Sequence, residues 1–235
     1  YLALSEEFRR ASERNLATRK GTRFLDLLQT QSDPTVRAWA LELVKLLPAE
    51  LRIPRLLNAL GDRDEGIKLI ATGALGQLKS AEVVRLLIEG LSTGKWLPAR
   101  IAQALNNIGE FALPFIIQLT LNPDEKVRLY AIEILEQIRI PPAGEAILRI
   151  LSDPSAKVRK KAAGMLLSFP EIFPGPALTH ALRNEHDLET KLQLIKVLGR
   201  LKFRFARETL EAQLSSGDEK IVKAAKTALD SMKQV

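Results

Sequence analysis

Apolar positions recur along this chain at a spacing of about 31 residues. Val36, Ile67, Leu97, Val127, Val158, Thr190 and Ile221 open seven successive segments. Four residues further on stand Ala40, Ala71, Ile101, Ala131, Ala162, Leu194 and Ala225. Eight further on stand Val44, Leu75, Leu105, Leu135, Leu166, Leu198 and Leu229, and eleven further on Leu47, Leu78, Ile108, Ile138, Phe169, Leu201 and Met232. These offsets share one sector of an α-helix, so the pattern predicts seven helices that each bury one apolar stripe.

A second stripe precedes each of these: Phe24-Leu25-Leu28, Ile53-Leu56-Leu57-Leu60, Val84-Leu87-Ile88-Leu91, Phe115-Ile116-Leu119, Ile147-Ile150-Leu151, Leu178-Ala181-Leu182 and Leu210-Leu214. Each repeat therefore reads as a helix A followed by a helix B. The predicted fold is all-α, a right-handed α-solenoid or superhelix of about seven two-helix repeats over residues 22–235. Residues 1–21 read as a separate N-terminal helix.

The joints carry their own chemistry. Three residues ahead of helix B's reference position stands Asp33, Asp64, Asp124, Asp187 or Asp218. A carboxylate there can accept the unpaired backbone N–H groups of the first turn, worth about 1 kcal/mol each. Pro48, Pro141-Pro142, Pro170, Pro174 and Pro176 separate one unit from the next.

The strings Asp33-Pro34-Thr35-Val36-Arg37-Ala38-Trp39-Ala40, Asp124-Glu125-Lys126-Val127-Arg128-Leu129-Tyr130-Ala131 and Asp153-Pro154-Ser155-Ala156-Lys157-Val158-Arg159-Lys160-Lys161-Ala162 resemble HEAT repeats. They are most similar to the short bacterial form also found in phycobilisome-lyase-like repeat proteins. The third repeat departs from that pattern, with Gly94 and Pro98 in place of Asp and Arg. The resemblance implies a scaffold that binds partners rather than an enzyme. It also implies a structural ladder in which Asp and Arg of neighbouring repeats pair, here Asp33, Arg37, Asp64, Lys68, Asp124, Arg128, Arg159, Asp187 and Lys191. The same cations also read as a basic row gripping an acidic partner. A ladder is the simpler account, since partly buried pairs fix register more reliably than they add stability.

Helix B's face away from the core is the expected partner surface, the concave side of a solenoid. It offers Glu42, Gln103, Asn106, Glu133, Lys160, Lys196 and Arg200 as contacts, with Gly73, Gly76, Ala99 and Gly164 leaving room between them. Trp39, Arg100 and Tyr130 either flank that groove or, for the two aromatics, fill the seam between repeats.

Composition adds boundaries to this picture. Apolar residues at 46% and charged residues at 27% fit a cored protein. The absence of cysteine excludes disulfides and thiolate chemistry. His180 and His186 lack ligand spacing, and no phosphate loop, nucleophile elbow or dinucleotide motif occurs, so neither catalysis, a cofactor nor a metal is expected.

A net charge of +7 keeps anionic partners in view, with basic residues clustered at Lys157-Arg159-Lys160-Lys161 and Lys196-Arg200-Lys202-Arg204-Arg207. Acids are interspersed and the pattern predicts no aromatic stacking platform beside these cations, which favours an acidic protein or an anionic membrane surface over nucleic acid. Tyr1 reads as an internal residue of a longer chain. Tyr1-Leu2-Ala3-Leu4 followed by Arg9, Arg10, Arg14, Arg19, Lys20 and Arg23 matches the inner end of a membrane helix, or else an amphipathic helix packing through Leu4, Phe8, Ala11 and Leu16.

The function expected from the sequence is a non-enzymatic protein–protein interaction scaffold. It would be bacterial, cytoplasmic, monomeric, and tethered at the inner face of the cell membrane if an anchor precedes Tyr1. The alternatives are a nucleic-acid-binding protein of the DNA-glycosylase-like HEAT type, or an accessory subunit of a lyase or chromophore-handling enzyme.

Overall fold

The computed structural model describes residues 14–233, which contain fourteen α-helices and no strand. The N-terminal stripe Leu4, Phe8 and Ala11 and the expected anchor lie outside the described residues. No helix among the described residues is long and apolar enough to cross a membrane.

The helices alternate as A and B partners. In residues 1–112, one compact unit, the pairs are α1 (Arg19–Gln29) with α2 (Pro34–Val44), α3 (Ala49–Ala59) with α4 (Glu65–Leu78), and α5 (Ala81–Thr93) with α6 (Pro98–Ile108). The second unit, residues 113–235, pairs α7 (Leu113–Leu119) with α8 (Glu125–Ile138), α9 (Pro141–Arg149) with α10 (Ala156–Met165), α11 (Gly175–Asn184) with α12 (Leu188–Leu201), and α13 (Arg207–Ala212) with α14 (Glu219–Lys233). The division falls after the repeat in which Pro98 stands where five of the other six repeats carry a cation.

Within each unit, every B helix also packs on the next B helix, which extends the core from repeat to repeat. The predicted stripes supply that core. All seven residues at offset four and all seven at offset eight are buried. Full burial of a Leu or Ile contributes about 2 kcal/mol, so each pair depends on its neighbours to cover its apolar face.

Two parts of the pattern depart from expectation. Leu97 is 66% exposed, because the third B helix begins at Pro98 and Leu97 sits ahead of it as N-cap. Proline fits this first helical position because its missing N–H is unpaired there anyway. Trp96 takes over the burial, with its ring lying where a Cβ on Gly90 would be. At offset eleven only Leu47, Ile108 and Phe169 are buried; Leu78, Ile138, Leu201 and Met232 are half-exposed beside the helix ends.

Helix starts follow the predicted chemistry. Asp33 accepts from the Thr35 N–H at 2.8 Å, Asp64 from Ile67 at 3.2 Å, Asp124 from Lys126 at 2.8 Å and Asp187 from Thr190 at 2.8 Å. Helix ends carry a feature that the pattern does not announce. Lys79, Arg139 and Lys202 close α4, α8 and α12 in the left-handed conformation, at φ of 42°, 49° and 53°. Glycine is the residue that favours this backbone geometry.

Candidate functional site

Arginine clasps connect successive repeats inside each unit. Arg37 on α2 donates Nε and Nη2 to Asp62 at 2.8 Å each, and Nη1 to the Gln31 and Ser32 carbonyls at 2.9 Å. Arg128 on α8 repeats this with Asp153 at 2.8 and 2.9 Å and with the Asn122 and Pro123 carbonyls. Arg159 on α10 grips Glu185 through two bonds of 2.7 Å and the Asp153 and Pro154 carbonyls. Each guanidinium thus ties the turn before its own helix to the corresponding turn of the next repeat, with the bidentate geometry that Arg alone provides.

The acid of each clasp is not the capping Asp expected from the sequence. Asp33, Asp64, Asp124 and Asp187 use their carboxylates on their own helix N–H groups, whereas Asp62, Asp153 and Glu185 meet the arginines. Those three acids then accept backbone N–H groups of the following turn: Asp62 from Asp64, Asp153 from Ser155, Glu185 from His186 and Asp187. Lys68 turns instead to Glu65 on its own helix at 2.7 Å, because Ser92 occupies the acid's position in the next repeat. Ser216 likewise stands where an acid for Lys191 would be.

Electrostatics match this geometry. The Arg159 hydrogen bonds hold Glu185 down at about 2, against 4.5 for a free glutamate, with burial opposing the shift. For Asp62, burial pushes upward, but the Arg37 hydrogen bonds and the Asp64 N–H together bring it below the usual range. The Thr190 hydroxyl and N–H lower Asp187. Arg37, Arg128 and Arg159 are raised by their acidic partners. The arginine side chains of these clasps find their partners within the repeats themselves.

The B-helix face differs between the units. In the first, Trp39 is 47% exposed and Leu69 is 51% exposed on neighbouring helices α2 and α4. A Cβ at Gly73, one turn after Leu69, would meet nothing within 4 Å, so the surface is open there. Glu42 is exposed and pairs with Lys45 at 2.6 Å. Arg100 crosses from α6 to Glu65 on α4 and also donates to the Gln103 side chain at 2.7 Å, so Gln103 already has a partner. Asn106 is exposed. Gly76 provides no space: a Cβ there would lie 2.5 Å from that of Asn107, because α4 and α6 approach closely at this point.

In the second unit the expected contacts Glu133 and Lys160 are occupied by cross-repeat pairs. Glu133 meets Lys161, Lys160 meets Glu189 at 2.8 Å, and Glu136 accepts from Ser168 at 2.9 Å. Gly164 faces the Gln193 side chain, and Gly199 closes against Ala228. Lys196 and Arg200 remain exposed on α12. Exposed large apolar side chains on the B helices therefore concentrate at Trp39, one of the two aromatics expected beside the groove or in the seam, and at Leu69. Among the described residues, no group of three His, Cys, Asp or Glu side chains is placed to hold a metal ion.

The HEAT-repeat family matches residues 22–109. No curated protein matches the chain. Among solved structures, an engineered protein is 19% identical with a TM-score of 0.43, covering 91% of this chain and 68% of its own. A designed armadillo repeat protein, solved with a (KR)4 peptide, is 17% identical over 90% of this chain and 98% of its own, at a TM-score of 0.43. Human deoxyhypusine hydroxylase, solved with glycerol, is 16% identical over 96% of this chain and 98% of its own, at the same TM-score of 0.43.

Proposed function

We propose that this chain is a protein–protein interaction module that docks an apolar segment of a partner on the B-helix face of residues 19–112. Exposure of Trp39 and Leu69 on adjacent B helices is the observation that carries this reading. Large apolar side chains left half in water on neighbouring helices mark interaction sites, and tryptophan anchors are enriched among the residues that dominate binding. Gly73 leaves clearance for a partner side chain. Glu42, Lys45, Glu65, Arg100 and Gln103 form a polar rim with both charge signs, and Asn106 adds a free amide. Such a mixed rim suits a protein rather than a uniformly charged polymer.

The chain acts as a scaffold without chemistry of its own, and as a monomer whose partner supplies the other half of the interface. The test is capture of the partner by wild-type protein, by a Trp39→Ser/Leu69→Ser variant, and by an Arg85→Glu control on the exposed side of α5. Loss of about tenfold or more in affinity confined to the first variant is expected. Equal capture by all three overturns the reading.

A further inference from the structure

Three phenylalanines outside the core form a cluster on the turns that join the last three repeats. Phe173 follows the short turn Pro170–Ile172, and Phe203 and Phe205 bracket Arg204 just ahead of α13. The ring centroids of Phe173 and Phe203 lie 4.9 Å apart, those of Phe203 and Phe205 are stacked at 5.4 Å, and those of Phe173 and Phe205 are 6.2 Å apart. Phe173 is nevertheless 61% exposed and Phe205 46% exposed.

The cluster is built rather than incidental. Phe173 sits at φ 52°, in the left-handed region that bulky side chains avoid, and the following Pro174 restricts it further. Such strain persists only where the surroundings enforce it. Phe203 and Phe205 lie directly over Gly175, where a Cβ would come within 2.4 and 2.5 Å of their rings. Pro170, Pro174 and Pro176 stiffen the supporting turn. The result is a packed aromatic plate of two stacked rings, Phe203 and Phe205 at 19°, with Phe173 tilted by 55° against Phe203.

Cations surround it. Lys202 and Arg204 alternate with Phe203 and Phe205, are exposed, and have no ion pair among the described residues. Arg200 is exposed at the end of α12, and Arg207 is exposed while paired with Glu211 at 3.0 Å. Glu171 on the first turn and Glu208 and Glu211 on α13 are the acids beside these four cations, and Glu211 is taken by Arg207.

We propose that this plate is a contact site for the surface of an anionic phospholipid bilayer. Phe173 and Phe205 enter the boundary between headgroups and acyl chains, while Arg200, Lys202 and Arg204 meet lipid phosphates. Alternation of ring and cation along one turn suits a planar interface in which apolar and anionic layers lie one below the other. A peptide partner calls for a groove, and the two clefts along Arg128–Asp153 and Arg159–Glu185 have none of the three rings in their lining. The rings, Lys202 and Arg204 lie on inter-repeat turns, Arg200 ends a B helix, and the site stands independently of the docking face on residues 19–112.

The test is flotation of the full chain with vesicles of phosphatidylcholine alone and of phosphatidylcholine with phosphatidylserine in equal parts, near physiological salt. Wild type should partition onto the anionic vesicles and only weakly onto the neutral ones. Phe173→Ser/Phe205→Ser leaves net charge unchanged, so it separates insertion from attraction by other basic segments. A loss of about tenfold or more is expected from that pair, and retention from Phe173→Leu/Phe205→Leu. Lys202→Glu/Arg204→Glu should also lose about tenfold or more, at about fivefold for each cation. Wild type that ignores anionic vesicles, or a serine pair that partitions like wild type, overturns the proposal and leaves the plate to a protein partner. If the serine pair fails to fold, the charge-reversal variant decides alone: unchanged partition overturns the proposal.

Discussion

Replacing Arg128 by Met should be among the most destabilising single changes in the second unit, although Arg128 touches no ligand. Its guanidinium makes four hydrogen bonds of 2.8 to 3.1 Å, two of them to Asp153, whose side chain is 5% exposed. Without Arg128 the Asp153 carboxylate keeps the Ser155 N–H but remains buried and uncompensated. Breaking one side of such a pair costs about 3–5 kcal/mol, a large share of a typical total stability of about 5–15 kcal/mol. Asp153→Leu strands the guanidinium and should cost a similar amount. The double variant Arg128→Met/Asp153→Leu removes both charges, so its cost should fall short of the sum of the singles by about 2 kcal/mol or more. Urea unfolding at neutral pH, followed by circular dichroism, measures all three. Single variants that each cost less than about 1 kcal/mol, with additive effects, would refute the claim that the clasp fixes the stacking of repeats.

Three further outcomes follow from the same geometry. Glu185 titrates near 2 when folded and near 4.5 when free, so its clasp contributes fully above pH 4.5 and is lost as pH falls toward 2. The shift is worth about 3 kcal/mol at face value; discounted for the partly solvated Arg159, wild type should exceed Glu185→Gln by about 1–2 kcal/mol at neutral pH. That difference should shrink across the acidic window in paired melts; a gap that grows there would contradict the sign. Lys79→Gly and Arg139→Gly relieve left-handed side chains at helix ends and should each stabilise by about 0.5–1 kcal/mol, seen as a higher denaturation midpoint. Gly76→Ala pushes a methyl into the Asn107 backbone and should destabilise by about 1–3 kcal/mol, while Gly73→Ala, with open space around it, should be neutral or slightly stabilising by the same measurement.

Helix periodicity and capping were legible because both are local: a stripe at offsets four and eight, and an Asp three residues ahead, determine burial and helix start within a single turn. The clasp partners required more. The capping Asp bonds the N–H groups of its own helix, and the guanidinium of the preceding repeat meets the acid two residues ahead of that cap position. The recurrence was present in the spacings Arg37 to Asp62, Arg128 to Asp153 and Arg159 to Glu185, which are 25, 25 and 26 residues. Gly76 does not leave the space expected of it, because a glycine on a helix surface looks the same in sequence whether it faces water or a neighbouring backbone. Glu133 and Lys160 looked available for a partner until B-helix stacking brought Lys161 and Glu189 against them. The Phe173, Phe203 and Phe205 plate escaped the helical pattern because its members stand in turns, although the Lys202-Phe203-Arg204-Phe205 alternation was its visible trace.

Photo-crosslinking of the full chain in its own cells tests the docking face most directly. Benzoylphenylalanine placed at Gln103, on the B-helix side, should give a discrete protein adduct that disappears in the Trp39→Ser/Leu69→Ser background. The same group at Arg85, on the exposed side of α5, should give none. An adduct formed from Arg85 alone, or the same adducts from both positions, would contradict the account.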